Sequence, residues 1–302
     1  MKMSNRTSLQ DARLHTEGHH PSDMIITDSA EVAEYQLEVI RNRVILGSAF
    51  SVLQKLPPEC ADLVFIDPPY YLQLPPKVLH RWKVKTAVNG VDDEWDRFAS
   101  FQEYDEFITR LLTEVRRVMK PSATVWVIGT YHNIFRVGKI MQDIGYWILN
   151  DVVWVKTNPM PNWLGVRFTN ATEHLIWAVK DRRAKGYTFH REYARQFGIG
   201  RVGANVWLLP LCSGKERLKD GDGSKLHSTQ KPVELLRRVI LTATSEGDVV
   251  LDPVAGTGTT GYVAKMLGRD YIMVEVNPRY VEGIVNRFAQ TAPATASSSP
   301  KA

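Results

Sequence analysis

Asp62-Leu63-Val64-Phe65-Ile66-Asp67-Pro68-Pro69-Tyr70 is the stretch on which the fold turns. Leu63 to Ile66 are apolar without alternation, so both faces of this predicted strand are covered, as at the centre of a parallel sheet. It stops at Asp67-Pro68-Pro69-Tyr70, because two successive prolines fix the backbone and remove two donors. Upstream, Arg43–Leu46 reads as a strand running into Gly47-Ser48-Ala49, followed by a helix to Leu56. Downstream, Tyr104, Phe107, Ile108, Leu111, Leu112, Val115 and Val118 share one stripe of a helix over 103–119 that Pro121 closes. Strands at Thr124–Ile128, Ile148–Val155 and His174–Val179 follow, with a helix over Asn133–Ile144 and another opened by Pro232. A strand at Val249–Leu251, a glycine loop, a helix to Leu267, a strand at Tyr271–Glu275 and a helix from Pro278 complete the series. This alternation predicts an α/β fold with a doubly wound, mostly parallel sheet.

Residues 1–35 read as a flexible arm, 36–290 as one domain, and 291–302, made of Ala, Ser, Thr, Pro and a lysine, as a disordered tail. Two stretches break the alternation, 71–100 and 181–226; loops of that length are expected to be functional or disordered, and here they are read as DNA-contacting loops. The 302 residues are 44% hydrophobic, enough for a sizeable core, and a net charge of +5 suits a polyanionic partner without identifying one. Cys60 and Cys212 form no CxxC pair and the histidines have no metal-ligand spacing, so neither a disulfide framework nor a metal is expected. The N-terminal residues lack an apolar signal core, and no apolar run approaches the roughly 18 residues of a membrane span. A cytoplasmic protein with no membrane partner is expected. Trp147, Trp154 and Trp177 are assigned to the core.

Asp252-Pro253-Val254-Ala255-Gly256-Thr257-Gly258-Thr259-Thr260-Gly261 lies between a predicted buried strand and a helix. Glycines there let a ligand approach the backbone and leave helix N–H groups facing it. Glu275 ends the next strand, where a carboxylate can accept both hydroxyls of a ribose. An adenosine-bearing cofactor is therefore expected. The pattern also spells GxGxxG, but too little chain follows it for the second half of a dinucleotide fold, so a nicotinamide enzyme would have to be permuted. A tight turn without a ligand is the third reading.

The Asp-Pro-Pro-Tyr turn suits a different task. An aromatic amine such as adenine N6 is a poor nucleophile, because its lone pair is delocalised into the ring. Hydrogen bonds accepted by the Asp67 carboxylate and the Pro68 carbonyl would hold both amine protons and favour a localised lone pair. Pro69 stiffens the turn and Tyr70 could stack on the base. A plain strand-terminating turn is the alternative, weakened by the cofactor loop expected at the same sheet edge.

Together these motifs resemble the amino-group DNA methyltransferases of the permuted β group, in which DPPY precedes the cofactor loop. The resemblance spans nearly all of 40–290 and implies a Rossmann-like fold using S-adenosylmethionine, with circularly permuted motif order. On it, Asp252, Val254, Gly256, Thr257, Gly258, Thr259, Thr260, Glu275 and Asn277 form the cofactor side. His227-Ser228-Thr229-Gln230-Lys231-Pro232 is similar to the family's HPTQKP segment. It implies that His227 and Gln230 flank the methionine end, while Thr229 and Lys231 hold the cofactor carboxylate. Ser48 and Ala49 fall where the cofactor adenine is lined. Tyr131–Arg136, Asn158–Asn162 and Gln73-Leu74 resemble the cell-cycle-regulated adenine-N6 enzymes acting on GANTC, although this chain ends in a short tail where those carry a C-terminal extension. Val254, Ser228 and Ser48 depart from the family's usual Phe, Pro and Asp.

The implied substrate is an adenine flipped out of double-stranded DNA, since N6 is shielded within the duplex. Candidate DNA contacts are Arg81, Lys83 and Lys85 beside Trp82, then Lys156, Asn158, Asn162 and Arg167. A solvated basic face is the alternative for the first group. Cytosine N4 is the nearest rival substrate, although in the family Ser usually opens its motif; carbon-5 methylation lacks a Pro-Cys nucleophile. A non-catalytic DNA-binding protein is the rival from another class. A cognate restriction endonuclease and a homodimer are further partners implied by resemblance only.

Overall fold

Residues 24–72, 80–81, 84–85, 94–162 and 165–290 are described in a computed structural model of the chain. The expectations for 1–23, Gln73, Leu74, Trp82, Lys83 and 291–302 lie outside these residues. The first half holds strands β1 (Ile25–Thr27), β2 (Arg43–Leu46) and β3 (Ala61–Ile66), with helices α1 (Leu37–Ile40) and α2 (Ala49–Lys55). A small antiparallel pair, β4 (His80–Arg81) and β5 (Val84–Lys85), precedes α3 (Phe101–Val118), β6 (Met119–Gly129) and α4 (Ile134–Asp143). Then come β7 (Trp147–Lys156), β8 (Thr172–Val179), α5 (Arg191–Phe197), β9 (Val206–Leu209) and α6 (Val233–Ala243). The chain closes with β10 (Val249–Asp252), α7 (Thr259–Met266), β11 (Asp270–Glu275) and α8 (Pro278–Ala289).

Nine strands form one sheet in the order β1-β2-β11-β10-β3-β6-β8-β7-β9, parallel throughout except for β8, which runs against both neighbours. The central strands read out the period of two. On β3, Val64 and Ile66 enter the core beneath α1 to α4, while Leu63 and Phe65 enter the core beneath α5 to α8. Val250 and Leu251 of β10 divide in the same way, as do Met273 and Val274 of β11. The helix after β3 covers one face and the helix after β10 covers the other. The carboxyl ends of these two neighbours therefore form a topological switch point, where an open α/β sheet leaves a crevice.

Several expectations shift. Helix α3 begins at Phe101, because Ser100 caps the Glu103 N–H at 3.1 Å and the Glu103 carboxylate returns to the Ala99 N–H at 2.6 Å. It stops at Val118, and Pro121 lies inside β6, where the register with β3 is irregular and a missing donor is tolerated. Ile25–Thr27, inside the stretch read as an arm, pairs with β2, a strand too short to show a period. Within 181–226, read as irregular, the four residues of β9 pair in parallel with β7, and α5 packs on the core. Trp147 is not core: it is 48% exposed at the start of β7 beneath Arg182, whereas Trp154 and Trp177 are buried. No helix among the described residues is long and apolar enough to cross a membrane.

Candidate active site

One cavity of about 520 Å³ opens at the carboxyl ends of β2, β11, β10 and β3, a size that suits a nucleoside-containing ligand. Asp67, Pro68, Pro69 and Tyr70 line it from the end of β3. Asp252, Val254, Gly256, Thr257, Thr259 and Thr260 line it from the end of β10, Glu275 and Asn277 from β11, and Ser48 and Ala49 from β2. His227, Thr229, Gln230 and Lys231 reach it from the segment before α6. Gly258, also expected here, lies one step behind the wall, with φ of 66° at the start of α7; a Cβ there would meet Ile284 at 2.8 Å.

The glycine loop is tied down by acids. Asp252 accepts from the Thr260 hydroxyl at 2.5 Å and from the Val254 N–H at 3.1 Å. Glu275 accepts from the N–H groups of Gly256, at 2.7 Å, and Asn277, at 2.8 Å. Burial pushes both carboxyls up to about 7, so each sits where a small change in surroundings decides its charge. Phe50 and Phe107, edge to face at 5.1 Å, add an apolar wall.

The Asp67–Tyr70 turn is held from outside. Asp96, which is buried, accepts from the N–H groups of Tyr70, Tyr71 and Leu72 at 2.6, 2.7 and 2.8 Å. The Tyr104 hydroxyl donates to the Pro69 carbonyl at 2.8 Å and itself accepts from Asn133 at 3.1 Å. The Lys231 ammonium donates to Asp67 Oδ2 at 2.7 Å. Burial raises the pKa of Asp67 despite this cation; burial works to lower that of Lys231, but Asp67 and Glu173 hold it above its ordinary value. The Tyr70 ring has Lys231 Nζ 5.0 Å from its centre, and its hydroxyl donates to Glu173 at 3.0 Å. Burial, with Asp67 and Glu173 behind it, pushes that phenol well above its usual range.

Some expected residues are occupied elsewhere. The Gln230 side chain accepts from the Leu218 N–H and donates to the Glu216 carbonyl, so it pins the 216–218 segment even as it lines the cavity. Asn277 caps α8 through the Arg279 N–H. His227 accepts at Nδ1 from the Thr229 N–H, and burial brings it down to about 4, an uncharged ring stacked against Trp95. Lys156, expected on DNA, is instead buried in an ion pair with Glu173 at 2.9 Å, because β7 delivers it to the inside of the rim. Asn158 accepts from the Leu211 N–H and Asn162 donates to the Arg167 carbonyl, which shapes the loop after β7. Arg167 is exposed and bonds the Tyr131 hydroxyl at 2.7 Å. Arg81 and Lys85 fall on β4 and β5; Lys83 lies outside the described residues.

Trp95, Asp96, Phe50, Phe107, Tyr280 and Glu173 were not legible as site residues. The Trp95 N–H is buried and finds no partner among the described residues, at the wall of the cavity. A Trp-Asp pair at the end of a long loop was the signal available, and it has no fixed spacing to either motif.

The sequence profile of the DNA methylase family matches residues 61–287. The Type II methyltransferase M.HinfI of Haemophilus influenzae is 46% identical over 252 residues, which cover 83% of this chain and 69% of that protein. Among solved structures, the cytosine-N4-specific PvuII DNA methyltransferase superposes with a TM-score of 0.62 at 20% identity, over 85% of this chain and 88% of its own. The M1.HpyAVI–SAM complex does so at 0.58 and 24% identity, over 81% and 98%. At such identities the superpositions speak to the fold.

Proposed function

The chain belongs to the DNA methylase family of amino methyltransferases, which use S-adenosylmethionine on adenine N6 or cytosine N4, and from that premise we propose that it methylates N6 of an adenine flipped out of duplex DNA. The observation that carries this reading is that Asp67 and the Gly256–Thr260 loop wall one cavity from neighbouring strand ends. An acidic, partly apolar cavity fits a sulfonium nucleoside. Glu275 would hold the ribose hydroxyls, Phe50 and Ala49 would pack on the cofactor adenine, and Thr229 and His227 would border its amino-acid end.

Bound there, S-adenosylmethionine would supply an electrophilic methyl on a positively charged sulfur, which would take back the C–S electron pair as the amine lone pair formed the C–N bond. Asp67 and the Pro68 carbonyl orient the amine by accepting its two N–H groups, and the Asp67 carboxylate offsets the positive charge growing on nitrogen. The proton that the amine gives up leaves through Asp67. Tyr70 supplies a ring against the flipped base, fixed by the bond from its hydroxyl to Glu173. Asp96 and Tyr104 keep the turn from moving as the base enters.

Asp67 supports adenine over cytosine, because the cytosine-N4 members usually open this motif with Ser. Sequence reading falls to the loops after β6 and β7, where Tyr131 and Arg167 are exposed and bonded to each other. A restriction endonuclease sharing the same recognition sequence is the partner that this reading implies. Incubation with DNA and methyl-labelled S-adenosylmethionine, followed by digestion to nucleosides, tests the substrate. Label in N6-methyladenine is expected; label in N4-methylcytosine overturns it.

A further inference from the structure

Behind the catalytic turn, four charged side chains converge from four elements. Asp67 follows β3, Lys156 ends β7, Glu173 lies near the start of the reversed strand β8, and Lys231 precedes α6. The single antiparallel strand explains the meeting, because its amino end lies at the same sheet edge as the carboxyl ends of its neighbours. Lys231 Nζ donates to Asp67 Oδ2 at 2.7 Å and to the Thr229 carbonyl at 3.3 Å, and lies 3.9 Å from Glu173 Oε2. Lys156 Nζ meets the other oxygen of Glu173 at 2.9 Å, and Tyr70 donates to Oε2 at 3.0 Å. The side chains of Lys231, Glu173 and Lys156 are 7%, 8% and 9% exposed.

Two carboxylates and two ammonium groups balance, which is the condition for keeping Lys231, Glu173 and Lys156 largely out of water, while the Asp67 side chain, 22% exposed, opens to the cavity. The three donors of Lys231 face Asp67, Thr229 and Glu173, all groups of the protein. Turning this ammonium to a cofactor carboxylate would strip Asp67 of its partner and leave Glu173 with one cation. We propose that Lys231 is a positioning residue for the target amine, acting through Asp67, and that Glu173, anchored by Lys156 and Tyr70, is the second post that holds the lysine in place. The inference rests on Asp67 being the acceptor for that amine, and it replaces the cofactor-carboxylate role that the HPTQKP-like segment implies for Lys231.

The charges facing Asp67 are Lys231, Glu173 and Asp252, with Lys156 behind Glu173 and the Tyr70 phenol beside it. Lys231 pulls the Asp67 pKa down and Glu173 pushes it up, so the two replacements must move the acid limb of the transfer rate in opposite directions. The test is single-turnover methyl transfer across pH at saturating cofactor and DNA, with cofactor Kd from calorimetry on the same full-length variants. Lys231→Met is expected to slow transfer about 30-fold or more and to move the acid limb to higher pH, with cofactor Kd within about threefold. Glu173→Gln, nearly isosteric, moves the limb to lower pH, and Lys231→Arg recovers part of the rate. General loosening of the fold would not give shifts of opposite sign. Cofactor Kd raised about tenfold in Lys231→Met, with near-normal transfer at saturation, overturns the proposal, as do limbs that stay in place. Asp67→Ala run alongside separates the two levels: wild-type transfer in that variant removes the amine-acceptor reading itself.

Discussion

The glycine loop after β10 and the Asp67–Tyr70 turn after β3 face each other across the crevice, yet they are secured differently. The glycine loop is bonded within the last third of the chain: Thr260 to Asp252 spans 8 positions, Gly256 to Glu275 spans 19, and Arg287 reaches Thr259 and Thr257 over 28 and 30. The turn is held by Asp96, Tyr104, Glu173 and Lys231, at separations of 26, 35, 103 and 164 positions. The loop is held by partners between Lys231 and Arg287, whereas the turn borrows its rigidity from the whole sheet. Cofactor binding and methyl transfer should therefore be separable by mutation.

The sharpest break comes from Asp67→Ala, expected to lower transfer by about 1,000-fold or more while cofactor affinity stays within about threefold. A parallel loss of cofactor binding in calorimetry would merge the two halves. Asp96→Asn tests the borrowed rigidity. One oxygen remains for the N–H groups of Tyr70 and Tyr71, but the new NH₂ must face the N–H of Leu72 or force a flip. Single-turnover transfer should fall roughly 30-fold with cofactor Kd unchanged. Gly258→Ala addresses the other side: its positive φ and the nearby Ile284 should weaken cofactor binding by about tenfold and lower Tm by several degrees, with transfer at saturation nearly intact.

The smallest effect lies in pH. Burial holds the Glu275 carboxyl at about 7, and the hydroxyls of a bound ribose favour its ionised form. Below pH 7 the group must first lose a proton, so affinity should rise between pH 6 and 8 by a few-fold, at most about tenfold. Glu275→Gln should flatten that rise, and a calorimetric titration that is flat in the parent protein would remove Glu275 from the ribose role.

The same contrast explains what the sequence disclosed. The doubly wound sheet, the strand ends and the glycine loop announce themselves through period, proline and spacing, because their causes are local. Lys156 was assigned to DNA from its charge, and only the register of β7 beside the reversed strand β8 turns it inward to Glu173. The place of Trp147 at a predicted strand or helix points to the core, yet it opens an outer strand and lies under Arg182. Asp96 carries no motif at all, and its value comes from the short turn Glu94–Asp96, which sets it against the N–H groups of Tyr70, Tyr71 and Leu72.

The order of strands also bears on the birth of the protein. Among the described residues the last two strands, β10 and β11, slot between β2 and β3, both made about 200 residues earlier, with Val250 opposite Leu63 and Met273 opposite Val44. A nascent chain must keep that central gap open until β10 and β11 have been made. Its pairing is dominated by distant partners, which predicts slow maturation. A truncated polypeptide would expose two unmatched β-edges, inviting chaperones or self-association.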